Sequence, residues 1–89
     1  DGGYAELMTV PAEFALPIPE ELDDLQAAPL LCAGAIGHRS LKLTGLRNGE
    51  PLGLTGFGGS GHLVLQLARH LHPDSPIYVF ARSSEQRHF

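Results

Sequence analysis

Glycines at positions 56, 58 and 61 form the spacing G-x-G-x-x-G. A strand-like run precedes this spacing and an amphipathic helical pattern follows at once, which is the context that a dinucleotide-binding turn requires. In that context Gly56 permits a tight turn, Gly58 lets the backbone approach a pyrophosphate, and Gly61 lets the helix pack against the strand. Because eleven glycines make chance matches easy, the context carries the argument. The pattern favours dinucleotide binding over an ordinary glycine-rich connection.

The backbone amides of Gly59, Ser60 and Gly61 are expected to face the phosphates at the positive end of the following helix. Two other glycine-rich phosphate loops are excluded. A protein-kinase loop is followed by a strand that carries a lysine, and no lysine occurs after Lys42. A Walker loop requires Lys and then Ser or Thr after its last glycine, where His62 stands here.

A second candidate set follows the next predicted strand. A site that prefers NAD has Asp or Glu at the end of that strand, where it accepts hydrogen bonds from ribose hydroxyls. Ala81 occupies this place, and Arg82, Ser83 and Arg87 come after it. These side chains can offer two cations and a hydroxyl to a 2′-phosphate. The pattern favours NADP over NAD; the alternative is a solvated arginine and a serine that caps a helix.

Cys32 is the only cysteine, so the chain has no internal disulfide. A single thiol favours a reducing compartment, so we expect the protein to be cytoplasmic. Taken alone, a cysteine that shares an apolar helical stripe with Ile36 and Leu43 is more often a small core residue than a ligand. The five histidines lack metal-ligand spacing and are expected to be surface or structural residues: His38, His62, His70, His72 and His88.

The elements around these residues follow from hydrophobic period and from turn residues. We predict a short strand over residues 4–10, and a helix of about one turn after a capping box formed by Asp23 and Gln26. A helix over 30–43 follows, in which Gly34 and Gly37 indicate either a close packing partner or a loosely formed helix. A strand over 50–55, a helix over 60–71 and a strand over 77–80 then form one right-handed βαβ unit. The predicted class is therefore α/β.

Length and composition limit the partners. A chain of 89 residues with 43% hydrophobic and 18% charged residues is globular and forms one domain at most, or parts of two. Seven acids and no Lys or Arg lie in residues 1–31, whereas three acids and six bases lie in 32–89. No basic block with aromatic residues occurs, so we expect no nucleic-acid partner. No apolar run approaches the roughly 20 residues that span a bilayer, so we expect no membrane partner.

Three stretches in order resemble zinc-dependent alcohol dehydrogenases of the medium-chain dehydrogenase/reductase superfamily, nearest to the cinnamyl-alcohol-dehydrogenase-like branch. They are Gly2-Gly3-Tyr4-Ala5-Glu6, Ala27-Ala28-Pro29-Leu30-Leu31-Cys32-Ala33-Gly34 and the glycine turn. The resemblance implies that residues 1–44 end a GroES-like, β-rich catalytic domain and that residues 45–89 begin a Rossmann domain. It also implies that Cys32 is a ligand of the catalytic zinc. Ile36 and His38 stand where the family usually has Thr and Tyr.

The activity implied by the resemblance is hydride transfer between NADP(H) and an alcohol or aldehyde, with a catalytic zinc. The longer enzyme is expected to be a homodimer. We expect both ends of the chain to be truncations and the other zinc ligands to lie outside it. The 89 residues alone are expected to be inactive, because zinc catalysis needs three protein ligands. Two alternatives remain open. One is a zinc-free quinone or enoyl reductase of the same superfamily, which does not need Cys32. The other is a non-catalytic nucleotide-binding remnant.

Overall fold

The computed structural model describes residues 3–88, so Asp1, Gly2 and Phe89 lie outside the described residues; Gly2 is the first residue of the resemblance above. Helices and strands are mixed along the chain. In order they are α1 (Asp24–Ala27), α2 (Ala33–Leu43), β1 (Leu52–Thr55), α3 (Gly59–Leu71), β2 (Ile77–Phe80) and α4 (Ser84–Arg87), with short 3-10 helices at Ala12–Phe14 and Ala28–Leu31.

The predicted strand, helix, strand order is confirmed by β1, α3 and β2. The two strands are parallel neighbours, with Leu52 opposite Ile77 and Thr55 opposite Phe80. Parallel strands require a crossover, and α3 supplies it. The observed bounds differ from the predicted ones by two residues or fewer. The mixed fold with a parallel sheet agrees with the α/β class.

A small core forms where α2 and α3 meet the sheet. Its buried members are Leu41, Leu52 and Ala68, and Ala68 has no exposed surface. Leu67 packs against this cluster from the same face of α3 as Ala68. The polar side chains on the opposite face of α3 are exposed: Gln66, Arg69 and His70. The 3.6-residue period therefore located the buried face of α3 correctly.

Close packing between α2 and α3 occurs at Gly37. A Cβ added there would lie 2.5 Å from Cγ2 of Val64, so only glycine lets the two helices approach this closely. At Gly34 an added Cβ would lie 3.2 Å from Cδ2 of Leu30. The contact at Gly37 confirms the prediction of a close packing partner, whereas the contact at Gly34 is local, with a residue four positions earlier in the chain.

The predicted apolar stripe of this helix is wrong. Ile36 and Leu43 are 64% and 72% exposed, and Cys32 is exposed as well, whereas Gly37 and Leu41 are the buried residues of α2. The prediction took the face with the large apolar side chains as the buried one. In the structure, α3 instead packs against the face of α2 at which glycine permits the closest approach. The helix also starts later than predicted, since a 3-10 turn occupies 28–31 and α2 begins at Ala33.

The strand predicted over 4–10 is wrong too. These residues form bends and irregular backbone, and all of them are exposed. Apolar side chains such as Tyr4 and Leu7 have no sheet neighbour among the described residues, where the sheet contains β1 and β2 alone. A strand is stabilised by pairing with another strand, so a strand-like sequence without a partner does not form one.

The one-turn helix α1 has the predicted capping box. The carboxylate Oδ1 of Asp23 accepts from the backbone N–H of Gln26 at 2.7 Å, and the Gln26 side-chain oxygen accepts from the Asp23 N–H at 3.0 Å. Both bonds join near neighbours in the sequence, which is why the pattern alone was sufficient to predict them.

An exposed ion pair closes the turn before β1. The guanidinium of Arg47 lies 2.7 Å from Oε1 of Glu50, and this contact lowers the pKa of the Glu50 carboxyl. The backbone N–H of Arg47 also donates to Glu50 Oε2 at 2.9 Å. Together they hold the chain in a tight turn as it enters the sheet.

In the described part of the chain, no helix combines the length and the apolar character that crossing a bilayer requires.

Candidate functional site

The glycine turn lies at the carboxyl edge of the two-stranded sheet. The backbone N–H of Gly56 donates to the carbonyl of Phe80 at 2.8 Å, so the turn starts directly beside the end of β2. Because β1 and β2 are parallel, the segments that follow both strands meet at this edge. In open α/β sheets, ligands bind outside the carboxyl ends of the strands.

Gly56 and Gly61 are needed by the turn itself. Gly56 has φ of 86°, in the left-handed region that side chains with a Cβ rarely adopt. A Cβ on Gly61 would lie 2.9 Å from the Gly56 carbonyl oxygen and 3.4 Å from Cδ2 of Phe57. The tight turn predicted at Gly56 thus has a direct geometric cause. Gly61 makes its close contact with atoms of the turn, where contact with the strand was predicted.

Gly58 and Gly59 have a different environment. A Cβ added to either would meet no atom within 4 Å, and Gly58 has an ordinary φ of −89° at the N-cap of α3. The protein's own packing therefore does not require glycine here. The open space lies where a ligand would approach the backbone.

The first turn of α3 presents free amides to that space. The N–H of His62 donates to the carbonyl of Gly58 at 3.0 Å, which is the first bond of the helical ladder. The three preceding amides, those of Gly59, Ser60 and Gly61, consequently have no acceptor inside the helix. Amides at a helix N-terminus favour an anion.

Two contacts that the sequence did not predict hold the turn in place. Phe57 is 6% exposed, and its ring stacks on the imidazole of His62 with centroids 3.9 Å apart. The Phe57 carbonyl accepts from the side-chain amide of Gln86 at 3.3 Å. His62 is half-buried by this arrangement. The bond to Gln86 joins residues 29 positions apart, so no local sequence pattern could have indicated it.

The segment after β2, which contains Arg82, Ser83 and Arg87, follows the carboxyl end of that strand and therefore lies at the same edge. Gln86 belongs to α4, and its bond to Phe57 joins this helix to the glycine turn. Arg82 is exposed, and its side chain makes no hydrogen bond or ion pair within residues 3–88. Ser83 caps α4, because its Oγ accepts from the Gln86 N–H at 3.1 Å. A hydroxyl that accepts in this way can still donate its own proton.

Cys32, the expected zinc ligand, lies just before the first residue of α2. Its thiol is free and exposed at the start of α2, and its carbonyl accepts from the Ile36 N–H at 2.9 Å. Over residues 3–88, no group of three or more His, Cys, Asp or Glu side chains is arranged to hold a metal ion. A catalytic zinc needs three protein ligands. The described residues therefore provide one thiol suited to zinc and not a complete site.

Three known proteins that are similar to this chain are named alcohol dehydrogenases. A protein named "Probable alcohol dehydrogenase AdhA" from Mycobacterium tuberculosis (strain CDC 1551 / Oshkosh) is 52% identical over 87 residues, which are 98% of this chain and 25% of that protein. Two proteins named "Alcohol dehydrogenase" from Geobacillus stearothermophilus are 46% and 42% identical over 69 residues, or 78% of this chain and 20% of each relative.

The chain thus spans about a quarter or less of the length of the curated relatives it matches. No family model matches the sequence, and no solved structure matches it significantly. The similarity to alcohol dehydrogenases nevertheless covers the α2 region, the glycine turn and both strands, since 98% of the chain is aligned. Over nearly its whole length, therefore, the chain is homologous to a segment of alcohol dehydrogenases.

Proposed function

We propose that the chain is a segment of an alcohol dehydrogenase that transfers hydride between NADP(H) and an alcohol or aldehyde, with the help of zinc. In this proposal residues 1–44 end a GroES-like catalytic domain and residues 45–89 begin a Rossmann domain. The relatives are named alcohol dehydrogenases, which favours this proposal over a quinone or enoyl reductase and over a non-catalytic remnant.

The observation that carries the proposal is the difference among the four glycines of the turn. Gly56 and Gly61 are required by backbone conformation and by internal packing, whereas Gly58 and Gly59 are not. Open space in front of the latter two, next to the unpaired amides of α3, suits a pyrophosphate that approaches the backbone closely. An ordinary connection between strand and helix would not need glycine at position 58.

The 2′-phosphate of NADP would be bound beyond the end of β2. Arg82 is exposed there, and the carboxylate that would accept from ribose hydroxyls is absent because Ala81 occupies its place. Ser83 and Arg87 belong to the same segment and offer a hydroxyl proton and a second cation. Hydrogen bonds between cations and phosphate oxygens are short and about twice as strong as neutral ones.

Zinc would be bound through the Cys32 thiolate, together with ligands that the described residues do not contain. A zinc ion bound in this way would act as a Lewis acid on the alcohol oxygen. The contribution of this chain's own residues is then to provide one ligand at the start of α2 and to hold the cofactor at the carboxyl edge of the sheet.

The test of the proposal is Gly58→Val in the complete protein. At position 58 an added Cβ meets no atom within 4 Å and φ is −89°, so we expect the valine variant to fold, with a poorer N-cap that costs about 1 kcal/mol. Its side chain, however, would fill the space in front of the free amides. We expect NADPH and NADH binding, measured by titration of cofactor fluorescence, to fall below detection while the far-ultraviolet circular dichroism is retained.

The matched control is Gly3→Val. An added Cβ at Gly3 also meets nothing within 4 Å, but Gly3 is remote in sequence from the turn and should leave cofactor binding unchanged. If Gly58→Val binds NADPH as tightly as the Gly3 variant does, the turn is an ordinary glycine-rich connection and the proposal is wrong.

A further inference from the structure

The loop before β1 and the loop before β2 are joined by four hydrogen bonds. The Asn48 side-chain amide donates to Asp74 Oδ2 at 2.6 Å, and the Asp74 backbone N–H donates to Asn48 Oδ1 at 3.0 Å. The Gly49 N–H donates to Ser75 Oγ at 3.0 Å, and the Ser75 hydroxyl donates to the Arg47 carbonyl at 3.4 Å. We call the set of Asn48, Gly49, Asp74 and Ser75 the loop clamp.

The pair Asn48-Gly49 is chemically reactive. The backbone nitrogen of Gly49 can attack the side-chain amide carbon of Asn48, because glycine has no Cβ to obstruct the approach. A new C–N bond closes a five-membered succinimide ring, and the side-chain nitrogen leaves as ammonia with the proton of the Gly49 amide. Water then opens the ring to aspartate or isoaspartate. No oxidant or reductant takes part.

The loop clamp occupies both reacting groups. Attack requires the Asn48 side chain to rotate over the Gly49 nitrogen, but the two bonds to Asp74 hold that side chain in place. Attack also requires the Gly49 N–H to lose its proton. This N–H donates to the hydroxyl of Ser75, a residue that is 9% exposed. The reaction is therefore confined to molecules in which the loop clamp has opened.

The product cannot restore the same contacts. Deamidation replaces the donor nitrogen of Asn48, which now lies 2.6 Å from an Asp74 oxygen, with a second acceptor oxygen. At neutral pH two carboxylates would then face each other, and like charges at that separation repel. We propose that Asn48 is a deamidation site protected by the loop clamp, and that deamidation keeps the clamp open.

Opening of the loop clamp by deamidation should affect the amino ends of β1 and β2. The loop clamp immediately precedes the bond from the Leu52 N–H to the Pro76 carbonyl, 2.9 Å long, with which strand pairing starts. The glycine turn lies at the opposite, carboxyl end of the same sheet. Deamidation should consequently lower the stability of the sheet without altering the contacts of the turn.

The first experiment measures deamidation of the complete protein at neutral pH, by mass spectrometry of the peptide that contains Asn48. We expect the native rate to be well below the rate in urea, since reaction follows the open fraction. Ser75→Ala removes the acceptor of the Gly49 N–H and should raise the native rate about 2- to 10-fold. Ser40→Ala, at an exposed position of α2, is the matched control and should leave the rate unchanged.

The second experiment mimics the product and then repairs it. Asn48→Asp should lower the thermal midpoint, and adding Asp74→Asn should restore it, because one amide and one carboxylate again face each other. Equal deamidation rates in native and urea-treated protein, equal rates for the Ser75 and Ser40 variants, or a double variant no more stable than Asn48→Asp would each overturn the proposal.

Discussion

Arg82 is an exposed cation that is proposed to bind the 2′-phosphate of NADP. Its loss should therefore affect NADPH and NADH differently, because NADH lacks this phosphate. A hydrogen bond to a charged group contributes about 1.5–3 kcal/mol. Arg82→Ala should therefore weaken NADPH binding roughly 10- to 150-fold, whereas NADH, which has no 2′-phosphate, should bind almost as before. Dissociation constants for both cofactors measure the difference.

Arg69→Ala is the matched control for Arg82, because Arg69 is an exposed arginine on the outer face of α3. It should change neither dissociation constant. If the Arg82 variant loses affinity for both cofactors equally, or if the unmodified protein prefers NADH, Arg82 does not bind the phosphate.

Cys32 packs against little of the protein, since it is exposed at the start of α2. Cys32→Ser should thus leave the thermal midpoint nearly unchanged. If Cys32 is the zinc ligand proposed above, the same change should reduce zinc content and alcohol oxidation, because a hydroxyl is a much poorer zinc ligand than a thiolate. Zinc content by mass spectrometry is the direct readout. A variant that retains its metal and its activity would show that Cys32 is not a ligand.

Contact between helices is most sensitive at Gly37. An alanine Cβ would lie 2.5 Å from Cγ2 of Val64, a β-branched side chain with few alternative rotamers. Overpacking costs about 1–3 kcal/mol, and the higher helix propensity of alanine offsets about 1 kcal/mol of it. We expect Gly37→Ala to lower the free energy of unfolding by up to about 2 kcal/mol.

Val64→Ala removes the methyl groups that an alanine at position 37 would meet. The double variant Gly37→Ala/Val64→Ala should therefore lose less stability than the two single changes summed, with a coupling of about 0.5–3 kcal/mol. Strict additivity in urea unfolding would mean that α2 and α3 do not touch at this point.

Much of the apolar surface of the chain is exposed. Its accessible area is 7674 Å², against about 5000 Å² for a compact monomer of this mass, and its radius of gyration is 15.7 Å against about 12 Å. Large exposed side chains include Phe14, Leu31 and Phe80. The small core around Ala68 buries few of the large apolar side chains.

We expect the 89 residues expressed alone to unfold in a broad, weakly cooperative transition or to be poorly soluble, because both strands present unpaired edges and apolar side chains. Differential scanning calorimetry and amide NMR spectra of the isolated chain test this. A sharp transition with well-dispersed amide signals would contradict it.

Local patterns predicted the elements that depend on neighbours in the sequence. The capping box of Asp23, the period of α3 and the glycine spacing before it each act over six residues or fewer along the chain, so they can be recognised without a fold. The same holds for the left-handed turn at Gly56. The βαβ unit and the candidate phosphate-binding turn were therefore predictable from the sequence.

Only the tertiary structure decided the contacts between distant segments. The buried face of α2 lies at Gly37 because α3 approaches there, the run 4–10 is not a strand because no other strand pairs with it, and Gln86 bonds to Phe57 across 29 positions. Burial and strand pairing depend on which surfaces meet, and that is a property of the folded chain that periodicity along one segment does not contain.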